Sequence, residues 1–599
     1  MAQSRNLRAF KICGVFFLFL IGIILRLFYL QIEQKSVLAG LGEKNFLRIE
    51  VITPLRGNLL DCCGNLMATN NPVFDLYWQG SGQTGLIKEK VDLLKNLSQI
   101  LGIDLRCELM LQDLAFAERF SRRILLFENL NFDKLCQVSE QCDADSSLVV
   151  ENRFERVYLY GQLASHVLGF LSRVERIGQA GVEKLLQSSL EGQAGYKKTV
   201  TNSTGKKLGL QEFRQAKAGA DIVLTLDLNM QKMAETFFEE GQSGAFILMD
   251  PKTGAVKALV SFPNYDPNIF NQPISFDEWQ EKMVYNNPLL NRATAALYPP
   301  ASTFKLVTIA AGLEQGIIAS NSTFHCPGYF LFYGRKYACM NKLGHGSLDP
   351  RMALTYSCNV YCFEVARRIS IDILAFYAKK FGLGKKTGCI LYEKDGLVPT
   401  SAWKFQTKKE KWWKGDTVSA SIGQSYLVVT PLQIARMVAA ICTGSLVRPR
   451  ILELEPIENE PLEISNYTLR ILKDGMKNAV LLGTGKLLSY IKGFDIYVKT
   501  GTAQTCDLRK EKKTKRQLDH GWVSSFFYYK DDDPLVLTVV VENAGSSAPA
   551  LQIVNRFLRA YKKYKESSNI QNTDRVEDVR CGATDQLGTA TLLGDKLKD

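Results

Sequence analysis

Hydrophobic and polar positions along the chain fall into three textures. From Ala9 to Leu30 the residues are apolar over about 20 positions except Lys11 and Arg26, long enough to cross a hydrocarbon core of about 30 Å. Residues 36–215 mix short apolar runs with turn residues and show no repeat. Near residue 216 the pattern sharpens: DIVLTLDLNMQKMAETFFEEG predicts a short strand, Asp227 as helix N-cap, and an amphipathic helix. GAFILMDPKTGAVKALVSFP then carries two β-prone runs about an Asp-Pro-Lys-Thr-Gly turn, a predicted hairpin. After a helical middle, IYVKTGTAQ, GWVSSFFYY and PLVLTVVVEN predict strands, and LQIVNRFLRAYKKYK a closing helix. The pattern predicts an α+β domain whose strands, at both ends of its sequence, share one antiparallel sheet around a helical block. It divides the chain into an anchor (1–35), a non-catalytic platform (36–215), this domain (216–562) and a polar tail (563–599) expected to be disordered.

Charge orients the anchor. Arg5, Arg8 and Lys11 precede the apolar run, so the positive-inside rule puts the N-terminus in the cytoplasm and everything after residue 31 outside. Lys11 and Arg26 snorkel at its ends. A cleaved signal peptide is the competing reading, but the run is long for one and no A-x-A site closes it. With 599 residues, 46% apolar and 23% charged, the chain is a multi-domain globular protein and not a polytopic one. A net charge of +13 would ordinarily point to nucleic acid; the topology removes that partner and leaves anionic lipid or cell-wall polymer. The densest basic run, Arg509–Arg516, reads as a solvated loop. Fourteen cysteines are scattered without the spacing of a disulfide framework.

Candidate chemistry lies in three short motifs: Ser302-Thr-Phe-Lys305, Ser357-Cys-Asn359 and Lys499-Thr500-Gly501. Each has decoys. Ser203, Ser401 and Ser489 also precede a lysine by three, and Lys252 and Lys386 also begin Lys-Thr-Gly. Context selects among them. Ser302 follows Pro299-Pro300 at a predicted helix start, where positions i and i+3 share a face and Lys305 can reach the Ser302 hydroxyl. Lys252 belongs to the hairpin turn and Lys386 to a glycine-bracketed loop. Lys499 follows Ile496-Tyr497-Val498, as on an edge strand that offers backbone groups to an extended peptide. A capping serine, an ordinary strand end and a loop are the bland readings; the order of the three motifs outweighs them.

These motifs, with RGNLLDCCGNLMA (56–68), HVLGF, GVEK, TLDLNMQ, MDPKTGAVKALVS, YDPN, SIGQS and TPLQ in order, resemble the class B penicillin-binding proteins, single-anchor transpeptidases, over nearly the whole chain to about residue 560. Cys62 stands where that family usually has Arg, and Ala301 where it usually has Gly. LLNRATAALYPPASTFK, GLVPTSAWK and a GHG segment are similar to the elongation, or rod-shape, branch. The resemblance implies an elongated pedestal followed by a β-lactamase-like transpeptidase domain. It further implies cross-linking of peptidoglycan stem peptides through a serine acyl-enzyme, β-lactam sensitivity and no catalytic cofactor.

In the roles so implied, Ser302 attacks the D-Ala-D-Ala carbonyl with neutral Lys305 as base. Lys499 lowers the Lys305 pKa by like-charge repulsion, and Ser357 relays the proton to the leaving amine. Backbone N–H groups of Ser302 and Thr502 form the oxyanion hole. Thr500 and Thr502 hold the substrate carboxylate and Asn359 its amide, with Gly501 also in the substrate-binding set. Expected partners are a membrane glycosyltransferase and the rod-shape complex, at a bacterial inner membrane with the catalytic domain on the periplasmic side. A D,D-carboxypeptidase or β-lactamase-type hydrolase, or a silent sensor or scaffold, is the alternative.

Cys326, Cys339, His345 and Cys358 supply a Cys₃His set between the first two motifs, the donor set of a closed structural zinc site. A disulfide with buried thiols, or simply core cysteines with His345 in a turn, also satisfies that spacing. The resemblance favours zinc, because some elongation-type members carry a metal there. His325 is excluded as the immediate neighbour of Cys326.

Overall fold

The computed structural model describes residues 2–36, 38, 47–82, 85–141, 147–201, 207–505 and 518–567, with no side-chain detail before residue 14. Arg509–Arg516, Ser203 and residues 568–599 lie outside the described residues. The chain divides into two compact units.

The first comprises 1–57, 70–157 and 188–220. It begins with a helix, Ala2–Phe28, continued by a π-helical turn, Tyr29–Glu33; the stretch Gly14–Glu33 is long and apolar enough to cross a membrane. Three antiparallel strands follow, with Gly195–Thr201 between Leu47–Ile52 and Lys207–Arg214. A separate core gathers Leu76, Trp78, Leu94, Leu97, Leu114 and Leu126. Inside it Trp78 Nε1 donates to Glu118 Oε2 at 3.1 Å, and Lys90 pairs with the same carboxylate, so the buried charge is compensated.

The second comprises 58–69, 158–187 and 221 onward. Its sheet contains β1 (Gly244–Met249), β2 (Val256–Phe262), β3 (Phe494–Ala503), β4 (His520–Tyr529) and β5 (Leu535–Val541), all antiparallel in the order β2-β1-β5-β4-β3. The first and last thirds of the domain sequence thus meet in one sheet, with the Lys499 strand at an edge. Every residue of β1 is buried, which is why it reads as a continuous apolar run without alternation. One face packs Phe246, Val260, Val498 and Val539 against Phe557 and Val554 of the closing helix, residues 548–567. That helix extends beyond 562, where a disordered tail was expected to begin.

Between β2 and β3 lies the helical block: α1 (Lys305–Glu314), α2 (Asn359–Ala366), α3 (Pro431–Thr443) and α4 (Asn466–Leu481). Thr430 caps α3 through Gln433 N, and Pro431 occupies the first turn, where its missing N–H costs nothing. Asp227 caps its helix as expected, accepting from Asn229 N and Met230 N.

Candidate active site

Ser302 sits in a single 3₁₀ turn, Ala301–Phe304, that leads directly into α1. Ala301 has φ +50°, a left-handed conformation costly for a residue with a Cβ. Its N–H donates to Gly423 O at 3.0 Å. A Cβ on Gly423 would lie 2.1 Å from Ala301 O, so only glycine lets SIGQS back the Ser302 turn this closely. From the other side, Trp522 Nε1 donates to Pro299 O at 3.1 Å. Tyr298 donates to Glu542 Oε1 at 2.6 Å, and Arg292 Nε to the same oxygen at 3.0 Å. Gly501 on β3 faces the turn, its Cβ direction ending 3.4 Å from Ser302 N.

The second motif turns at Ser357, also at positive φ (+54°), between Pro350–Thr355 and α2. Fully buried Lys305 Nζ donates to Ser357 O at 2.6 Å, Ser357 Oγ at 3.2 Å and Asn359 Oδ1 at 2.6 Å. Lys499, equally buried, donates to the same Ser357 Oγ at 2.9 Å and to Thr500 O at 3.1 Å. The structure thus converges both lysines on one hydroxyl, with Ser302 (9% exposed) on the turn that begins the Lys305 helix. None of the three Lys305 hydrogen bonds goes to Ser302. Asn359 Nδ2 donates to Ala338 O at 3.1 Å, and Thr500 Oγ1 to Thr484 Oγ1 at 2.7 Å. Thr502 is half-buried on β3.

Burial pushes the Lys305 amine below its usual range. Burial first, then the Lys305 charge, hold Lys499 well below its own. Burial is the first cause for both amines, and the like-charge repulsion between them is mutual. The decoys take other partners. Ser401 donates to Asp372, Ser489 to Lys486 O, and Lys252 pairs with Asp533 at the surface.

Beside this centre Cys326, Cys339, His345 and Cys358 bring their ligand atoms within 4.8 Å of one another. His345 Nδ1 is 3.6 Å from Cys326 Sγ and 3.5 Å from Cys339 Sγ, and the Cys339 and Cys358 sulfurs are 3.9 Å apart. Tetrahedral zinc, with bonds of about 2.3 Å to sulfur and about 2.0 Å to nitrogen, puts such atoms about 3.5–3.8 Å apart. The four donors therefore fit one ion. The three cysteines are unbridged in this arrangement, and His325 is exposed on the strand that carries Cys326. The shared hydrogen bond pushes the Cys339 thiol down to about 4 and the Cys358 thiol up.

Gly423, Thr484 and the Arg292–Glu542–Tyr298 group have no role in the sequence-based reading. SIGQS was legible as a landmark, and its glycine was the available signal.

Residues 244–560 match the family described as penicillin binding protein transpeptidase domain, and residues 51–224 the penicillin-binding protein dimerisation domain. The chain is similar to a peptidoglycan D,D-transpeptidase MrdA of Haemophilus influenzae, 31% identical over 95% of this chain and 94% of that protein. Among solved structures it is similar to a penicillin-binding protein (PBP2) from Helicobacter pylori in complex with MreC. That likeness has a TM-score of 0.75 and 26% identity, over 87% of this chain and 99% of that one. A structure entitled "Structural coordination of polymerization and crosslinking by a peptidoglycan synthase complex" is similar at TM-score 0.71 and 29% identity, over 93% and 98%.

Proposed function

The chain belongs to the penicillin-binding protein transpeptidases, and from that premise we propose that it cross-links peptidoglycan during cell elongation with Ser302 as its nucleophile. It is a D,D-transpeptidase of the serine acyltransferase type. The observation that carries the residue roles is the convergence of Lys305 and Lys499 on Ser357 Oγ beside the Ser302 turn.

In the proposed cycle neutral Lys305 takes the Ser302 proton as Oγ attacks the carbonyl between the two terminal D-alanines. The proton passes through Ser357, already hydrogen-bonded to both amines, to the leaving D-alanine. N–H groups of Ser302 and Thr502 receive the oxyanion, a placement supported by the approach of Gly501 to Ser302 N. Lys499, with Thr502, attracts the substrate carboxylate. Thr500 acts at one remove, through Thr484. Asn359 binds the substrate amide once Lys305 releases its Oδ1. An amine from a neighbouring stem peptide then resolves the acyl-enzyme, forming the new amide and freeing Ser302.

Cys326, Cys339, His345 and Cys358 would hold a structural zinc. Bound there, the ion supplies no step of the reaction; it ties the Cys358–Asn359 turn to the 326–345 excursion. The Gly14–Glu33 helix supports a single-pass anchor, and the basic residues before it favour a cytoplasmic N-terminus with the catalytic unit outside the inner membrane. The Helicobacter pylori complex with MreC supports a rod-shape partner, and the peptidoglycan synthase complex a strand-polymerising partner.

Full-length protein, a D-Ala-D-Ala donor and an amine acceptor test the reading. Cross-linked amide is expected. Free acid alone would assign a hydrolase, and no acyl-enzyme on Ser302 by peptide mapping would reject the site.

A further inference from the structure

A second group of metal-ligand side chains lies away from the catalytic centre. Cys62, Cys63 and Asp227 place two sulfurs and a carboxylate oxygen within 4.8 Å of one another. Side chains of adjacent residues ordinarily diverge; here a tight turn brings them together. Asp61 N donates to Asn65 O at 2.9 Å and Gly64 N to Asp61 O at 3.1 Å, with Gly64 at φ +85°. The sulfurs stand 3.9 Å apart. Asp61, 1% exposed, fastens the turn: its carboxylate accepts from Cys63 N (2.9 Å), Asn65 N (2.7 Å) and Leu228 N (3.2 Å). Cys62 N donates to Leu226 O at 2.9 Å, so the turn is tied on both sides of Asp227. Asp227 Oδ1 accepts Asn229 N and Met230 N; among the described residues its other oxygen accepts no hydrogen bond. The three donors are therefore positioned by backbone hydrogen bonds that do not involve the donor atoms themselves, apart from the one carboxylate oxygen.

We propose that Cys62, Cys63 and Asp227 form a solvent-facing, three-ligand site for a borderline or soft divalent cation of the zinc or cadmium class. Two sulfurs favour such ions over magnesium or calcium, and three protein ligands leave a fourth position to water. Binding converts two thiols to thiolates and releases two protons, with no change of oxidation state. Cys63 is exposed and Cys62 half-buried, so the ion reaches the site from solvent. Once bound it links the 61–65 turn to the start of the Leu228–Glu235 helix.

Full-length protein in detergent, reduced and stripped of metal, is titrated with cadmium and followed by the ultraviolet absorbance of the thiolate-to-metal charge transfer. Cys63→Ser should bind one cadmium fewer than the unmodified chain. That difference, not the total, reads this site, so the result is independent of whether the Cys326 cluster is metallated. Asp227→Asn preserves the N-cap and should weaken this one equivalent at least tenfold. Penicillin acylation of Ser302 should be unchanged in both. Equal stoichiometry in the unmodified chain and Cys63→Ser would overturn the proposal. So would a Cys62–Cys63 disulfide that persists under reduction.

Discussion

Substituting Gly423 with alanine isolates the packing of the nucleophile's turn from its chemistry, because Gly423 carries no reacting group. Its added Cβ would stand 2.1 Å from Ala301 O, 2.7 Å from Ala301 N and 2.8 Å from Ala301 C, where real Cβ atoms do not come under 3.0 Å. All three are backbone atoms, so no side chain can swing aside. Relief requires the turn carrying Ser302 to move by about 1 Å, a misplacement worth about 10²-fold in rate. That corresponds to about 2.7 kcal/mol in the barrier. Gly423 also has φ +74°, so alanine adds backbone strain of about 1–2 kcal/mol to folding. Gly316 supplies the control: its φ is +64°, but nothing lies within 4 Å of its Cβ direction. Gly316→Ala should lower the melting temperature without slowing acylation. Gly423→Ala should lower it comparably or more, and slow the second-order acylation rate by a fluorescent penicillin about a hundredfold. Acylation of a folded Gly423→Ala within threefold of the unmodified rate would refute the account of how Ser302 is held.

Other outcomes follow from the same geometry. Acylation should rise with pH through a midpoint below the ordinary lysine value of about 10.4, because burial lowers Lys305 and its neutral form is the proposed base; a flat profile there would remove Lys305 from that role. Stability carries the same sign: the unfolded chain binds the Lys305 and Lys499 protons more tightly than the folded one, so stability increases with pH from the folded pKa values up to the unfolded ones. Lys305→Met and Lys499→Met should each flatten that slope in chemical denaturation, and an unchanged slope would contradict the burial of the amines. Tyr298→Phe removes the 2.6 Å hydrogen bond to Glu542 and should slow acylation several-fold, the penicillin dissociation constant being unchanged. A change confined to that constant would place Tyr298 in binding instead. Chelation, or His345→Ala, should lower both melting temperature and acylation rate if zinc holds the Cys358 turn; thermal stability indifferent to both would reject it.

Much of the fold is written in local patterns. The Asp-Pro-Lys-Thr-Gly hairpin, the Asp227 cap and the β-branched runs at 244–262 and 494–541 each fix an element from within a few residues. Their order in the sheet is not local. β1 pairs with β5 nearly three hundred residues later, and no periodicity records that partner. The same division runs through the site. Ser302, Lys305, Ser357 and Lys499 stood out as candidates because spacing and order are properties of the string, and the fold brings them together. The role of Gly423 was not legible, since it depends on a 3.0 Å approach between segments about 120 residues apart. Nor was the diversion of Thr500 to Thr484, which depends on what the far side of an edge strand meets.

The two buried amines constrain each other more than either motif reveals. Both are bonded to one hydroxyl, at 3.2 and 2.9 Å, and among the described residues no carboxylate neutralises either. Two nitrogens sharing that oxygen stand at most about 6 Å apart, where two unit charges repel by about 3 kcal/mol at an effective dielectric of about 20. Added to desolvation, this disfavours double protonation, and the pair titrates as a unit. A single shared positive charge reconciles the two demands of the proposed cycle, in which one amine is neutral to accept the Ser302 proton while the other is charged to attract a carboxylate. In that cycle Ser357 passes the proton between those states, because among the described residues its Oγ is the one atom that accepts from both. At its φ of +54° the turn presents Oγ to both Lys305 and Lys499 while its carbonyl also receives the Lys305 amine.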